Sequence, residues 1–230
     1  MTSSRQSRIS ALPAHLQEQL RRRLSGQSRE SDRIPRAERT GPLPLSFAQQ
    51  RLWFLNEFQP GSAGYNSALA LRLVGLLDVA ALTAALQTLL ARHESLRTTF
   101  DEVDGEGVQI VHPPHELPLP VVDLSRAPHP SPDRLDWVLS EEYAQPFDLR
   151  HGPLLRALLV RISDHEHVLM FTAHHIVTDG WSMGVLTEEL GALYDAALRG
   201  EEAALPPPPL QYGDFAVWQR TQAVDSALEA

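Results

Sequence analysis

The stretch LLRALLVRISDHEHVLMFTAHHIVTDGWSMGVL, residues 154–186, decides how this chain folds. It holds two apolar runs, LLRALLVRI and HVLMFTAHH, joined by the polar SDHE. Runs of that length with a tight polar connection predict a buried antiparallel strand pair rather than helices. The pattern breaks at TDGWS and resumes with Leu186, Leu190, Leu193 and Tyr194 at helical spacing, ending at Gly200. Ser182 stands where it could cap that helix.

Outward from this core the elements alternate. Ser46 followed by Gln49 has the spacing of a capping box before FAQQRLWFLNEF, which predicts a helix. SALALRLVG alternates Leu69, Leu71 and Leu73, the period of a half-buried strand. Asp78 should cap the helix VAALTAALQTLLARH, with Leu82, Leu86, Leu89 and Leu90 inward. Residues 96–111 read as a hairpin around DGEG, and LPVVDLS as a short strand. Ser131-Pro132 opens a helix to about Ala144, and YGDFAVWQRTQAVDSAL forms another after the prolines at 206–209. The class is therefore mixed α/β, a mixed sheet with helices packed on it. Residues 1–42 form a separate segment. Leu12, Leu16, Leu20 and Leu24 make one apolar helical stripe, and residues 25–42 read as a polar linker before a compact region over 43–230.

Composition narrows the function classes. The 230 residues are 43% hydrophobic and 21% charged, as in a globular protein. A net charge of -9 argues against a general nucleic-acid binder, although basic residues cluster in the first forty positions. The absence of cysteine removes disulfides, thiolate nucleophiles and Cys-ligated zinc. No apolar run approaches the roughly 18 residues of a membrane span, and no signal-peptide core is evident, so the expectation is a cytoplasmic protein with no membrane partner.

Three chemistries compete for residues 171–186. A metal site is disfavoured because neighbouring strand residues point to opposite faces, so His174 and His175 cannot easily share an ion. His165 and His167 read as solvent-facing turn residues. Gly180-Trp181-Ser182-Met183-Gly184 spells G-x-S-x-G, yet no histidine follows Ser182, as a nucleophile elbow would require. The third reading is a histidine base at a strand end, one imidazole facing a cleft and the other the interior. No metal is expected, and no cofactor-binding residue is evident.

HHIVTDGWS resembles the HHxxxDG signature of nonribosomal peptide synthetase condensation domains, members of the chloramphenicol acetyltransferase-like superfamily. Three further blocks agree in order: PLSFAQQRLWFLNEFQPGSAGYN (44–66), RHESLRTTF (92–100) and YGDFAVWQR (212–220). The resemblance implies a two-lobed fold of which residues 43–230 are the N-terminal lobe, truncated before the second. It implies amide formation between a donor acyl or peptidyl thioester and an acceptor aminoacyl amine, each on the phosphopantetheine arm of a carrier protein. No intrinsically bound cofactor is implied. His175 is the residue it assigns to the attacking amine, and His174 supports the loop from inside. Asp179 is structural, salt-bridged to an arginine for which Arg97 is the candidate. Gly180 is where the backbone approaches substrate closely. The details favour the subtype joining an L-aminoacyl donor to an L-aminoacyl acceptor, and the lobe alone is expected to be inactive. The implied partners are donor and acceptor peptidyl carrier proteins, and an upstream synthetase subunit docked through residues 1–42. Alternatives are a docking module without catalysis, another carrier-dependent acyltransferase, or an epimerisation domain.

Overall fold

The computed structural model describes residues 33–126 and 132–228. The helix read over residues 11–24 and the Ser131 cap lie outside the described residues. The chain divides into two units, Met1–Pro35 and Arg36–Ala230, and the fold below is that of the second.

The two apolar runs form β6 (Leu155–Ser163) and β7 (Glu166–His174), paired antiparallel as expected. They are the centre of a four-stranded sheet in which β2 (Asn66–Val74) flanks β7 antiparallel and β5 (Val121–Asp123) flanks β6 parallel. Leu169, Phe171 and Ala173 of β7, with Leu155, Ala157 and Leu159 of β6, face one core. That core is closed by Leu82, Leu86 and Leu89 of α2 (Val79–Arg92) and by Met183, Leu186, Leu190 and Leu193 of α4 (Gly180–Arg199). Val168, Met170, Leu158 and Val160 face the opposite side, against α3 (Pro132–Ala144). Both faces of β6 and β7 are thus covered, which is why their sequences run apolar without alternation. The flanking strand β2 keeps the alternating pattern of a half-covered strand.

A second sheet holds β1 (Leu43–Pro44), β4 (Glu106–Val111) and β3 (Thr98–Val103), in the order β1-β4-β3. The β3–β4 hairpin turns through Asp104 and Gly105, both at positive φ (54° and 82°). A short 3₁₀ turn, Glu94–Arg97, precedes β3 where the sequence suggested strand. Trp53 of α1 (Phe47–Phe58) packs with Phe100, Phe147, Leu154 and Ile176 in a third core. A Cβ at Gly107, beneath it, would lie 2.7 Å from Leu45 Cδ1, so a larger residue there would force that buried side chain to shift.

Three helix ends follow their sequence signals. Ser46 and Gln49 form the reciprocal capping box, Asp78 accepts from the Ala81 N–H, and Gly200 closes α4 in the left-handed conformation. The last helix, α5 (Tyr212–Leu228), binds the chain entering the domain. Buried Asp214 accepts from the N–H groups of Ala37 and Gln211 and pairs with Arg39 at 2.9 Å. Residues 36–39, read from sequence as linker, are therefore anchored. Among the described residues no helix is long and apolar enough to cross a membrane.

Candidate active site at the end of strand β7

β7 ends at His174, and the alternation of the strand separates the two histidines. His174 is buried, with 2% of its surface exposed, while His175 is exposed. The Ile176 N–H donates to His174 Nδ1 at 3.1 Å, so Nδ1 carries no proton and the neutral ring must carry it on Nε2. Burial, with a smaller contribution from the neighbouring His175, pushes the His174 pKa down to about 4. Tyr65 and Phe147 flank the ring, with centroids 6.2 and 6.3 Å away.

His175 is held at two points. Its N–H donates to the Tyr65 carbonyl at 2.8 Å, and Nδ1 lies 3.2 Å from the Ser67 hydroxyl on β2. Among the described residues nothing occupies Nε2, which stays available to a substrate proton. Nothing local in the sequence marks Ser67. It stands across β2 and β7, and the register that pairs Asn66 with His174 is a long-range fact.

The loop 176–179 turns into α4, and here the sequence reading needs correction. The N-cap is Asp179 rather than Ser182: its carboxylate accepts from the Ser182 N–H at 2.7 Å, and Ser182 Oγ donates to the same oxygen at 2.5 Å. Ser182 is the third residue of a reciprocal capping box, with its hydroxyl committed to Asp179. The hydrogen bonds from Ser182 hold the Asp179 carboxyl below its ordinary range, against a smaller opposing effect of burial. Gly180 begins α4 at the surface, and a Cβ built there meets nothing within 4 Å. Nothing in this chain demands a glycine at that position.

The expected partnership of Arg97 with Asp179 does not form. Arg97 donates instead to the carbonyl of His112, and its Nε is buried without a partner. Among the described residues Asp179 pairs with no arginine. His167 also departs from expectation: it is a buried β7 residue, its pKa lowered by burial and by Arg161. Among the described residues no cluster of three or more histidines and carboxylates could hold a metal ion.

The remaining motif residues hold the site's supports together. Arg92 and His93 both bond Glu189 of α4, at 2.9 and 2.6 Å, joining the end of α2 to α4. Burial would raise the Glu189 carboxyl, but these two partners outweigh it and hold it low. Tyr212 meets Ser46 Oγ at 2.9 Å and Arg220 donates to the Leu45 carbonyl at 2.7 Å, seating α1 on α5.

Known proteins resemble this chain in sequence and in fold. The sequence model of the family described as Condensation domain matches residues 40–230. One of the linear gramicidin synthase subunits of Brevibacillus parabrevis is 47% identical over 205 residues, 89% of this chain and 3% of that protein. Nonribosomal peptide synthetase kk1B of Curvularia clavata is 50% identical over 195 residues, 84% of this chain and 2% of its own. The chain thus spans a few per cent of the curated relatives it matches. Among solved structures, the X-domain from teicoplanin biosynthesis aligns with TM-score 0.76 at 35% identity, over 86% of this chain and 42% of that one. The starter condensation domain of rhizomide synthetase RzmA shares the fold, with TM-score 0.68 at 24% identity, over 82% of this chain and 43% of its own.

Proposed function

The chain belongs to the condensation-domain family, and on that premise we propose that it forms amide bonds in nonribosomal peptide synthesis. Residues 43–230 are one lobe of a two-lobed domain. The observation that carries this reading is His175: an exposed imidazole, fixed through its N–H by Tyr65 and through Nδ1 by Ser67, with Nε2 free.

The reacting partners are two thioesters on the phosphopantetheine arms of donor and acceptor peptidyl carrier proteins. Nε2 of His175 accepts a hydrogen bond from the acceptor amine and aims its lone pair at the donor carbonyl carbon. The C–N bond forms as the C–S bond breaks. The donor arm leaves as a thiol, carrying the proton that the amine loses. Because the thioester is already activated, no acyl-enzyme is needed, and placing the two arms tip to tip supplies much of the acceleration. Asp179 acts as the cap that fixes the start of α4, His174 supports the loop from inside, and Gly180 leaves the mouth of the cleft open. The favoured subtype joins L-aminoacyl donor to L-aminoacyl acceptor. Residues 1–42 dock an upstream synthetase subunit.

The test is His175→Ala in the synthetase that carries this chain, with both carriers loaded and peptide product measured. A loss of product by about 100-fold or more is expected for a positioned acid–base group. Unchanged synthesis would refute the assignment. The 230 residues alone, offering one wall of the cleft, should give no turnover. A second reading is a binding module without catalysis, favoured by the solved complex of the X-domain and OxyB from teicoplanin biosynthesis. On that reading His175→Ala leaves product formation intact.

A further inference from the structure

A cavity of about 420 Å³ opens where the start of β3, the chain leaving β4 and the turn into β6 meet. The proposed reaction does not use it. Thr98 and Thr99 of β3 form one side, His112 and Pro114 the second, and Pro153 and Leu154 the third.

Its ionisable groups are all of the cationic kind. Arg97, His112, His115 and His151 line it, and no carboxylate does. An arginine keeps its charge at any physiological pH. Elsewhere in the chain Arg39, Arg92, Arg150 and Arg156 each meet a carboxylate. Among the described residues Arg97 meets none, and its guanidinium is only half used. Nη1 donates to the His112 carbonyl, whereas Nη2 reaches only the Ala91 carbonyl at 3.5 Å and Nε is buried without a partner. Folding strips water from Nε and returns nothing for it, a loss that a ligand oxygen recovers.

The surroundings set the rest of the ligand. The imidazoles are partly committed, His112 Nε2 to Thr99 Oγ1 at 2.6 Å and His151 Nδ1 to Asp148 at 2.8 Å, so Arg97 is the principal anchor. The Nε–Nη2 edge of a guanidinium matches the two coplanar oxygens of a carboxylate. Leu96, Leu154 and the rings of Pro113, Pro114 and Pro153 offer apolar surface to whatever the oxygens are attached to. The volume falls within the roughly 300–1,000 Å³ of small-molecule pockets.

We propose that this cavity binds a small organic carboxylate with an apolar body, its oxygens on Arg97 and its body against the leucines and prolines. The inference stands apart from the amide-forming reading of His175.

Calorimetric titration of the 230-residue chain tests it with indole-3-acetate, with the uncharged indole-3-acetamide, and with acetate as the head without the body. Indole-3-acetate should saturate a single site and bind about tenfold or more tightly than either of the others, the range of charge-assisted hydrogen bonding. Arg97→Lys keeps the charge but loses the fork, and should weaken binding about tenfold. Pro114→Trp fills the cavity from an exposed position and should abolish binding, with thermal unfolding reporting that the fold is retained. Absence of saturable binding, equal affinity for acid and amide, or full affinity kept in either variant would overturn the site. His175→Ala should bind indole-3-acetate as the parent does, so this site and the catalytic reading fail separately.

Discussion

Protonation of His174 should destabilise the fold by a calculable amount. Its pKa falls from 6.5 to about 4 on folding, because burial disfavours the imidazolium. A histidine depressed in this way binds its proton more readily in the unfolded chain. Stability is therefore intact above about pH 6.5 and drains away as pH falls toward 4. At about 1.4 kcal/mol per pH unit, the loss reaches about 2 kcal/mol at pH 5 and about 3 kcal/mol in the limit. The control is His174→Asn, whose Oδ1 can take over acceptance of the Ile176 N–H but does not titrate. Urea unfolding of both proteins at pH 7 and pH 5 gives the comparison. With a slope of about 3 kcal/mol per molar urea, the parent midpoint should drop by about 0.7 M more than the variant's. Carboxylates, with unfolded pKa values of about 4, contribute little in this window, and the buried His167 shifts both proteins equally. Parallel midpoints in parent and variant would refute the neutral, buried His174 that supports the loop.

Three further outcomes test other parts of the structure. Asp179→Ala should cost about 1 kcal/mol in thermal or urea unfolding as the α4 cap is lost, with Ser182→Ala costing less because the Ser182 N–H still reaches Asp179. Asp214→Ala leaves the Ala37 and Gln211 N–H groups without their buried carboxylate and should cost about 3–5 kcal/mol. Arg39 still has Glu94 at 2.8 Å, so adding Arg39→Ala to that variant should cost little more. Ser67→Ala in the intact synthetase should lower kcat about three- to tenfold with KM nearly unchanged and move the pH–rate profile, and Ser67→Thr should restore both. An unchanged profile would remove Ser67 from the positioning of His175.

Much of the fold was legible because local signals agreed with each other. Period-two and period-3.6 patterns, capping residues and turn chemistry placed the strand pair 155–163 and 166–174 and helices α1, α2, α4 and α5 close to their observed limits. Asp179 and Ser182 are both acceptable caps, and the choice depended on which residue took extended backbone before α4. The family resemblance offers Arg97 of LRTTF as the charge partner of the Asp179 loop, whereas the 3₁₀ turn before β3 places it on the His112 carbonyl.

The sequence by itself determined the mixed α/β class, the placement of His174 and His175 at a strand end, and the opposed faces of the two imidazoles, because these follow from periodicities within a few residues. Tertiary structure alone decided what each histidine touches. Ser67 and Tyr65 lie more than a hundred residues away in the chain and are brought there by the β2–β7 register. Contacts of that separation depend on the closure of the whole core, and no local pattern encodes them.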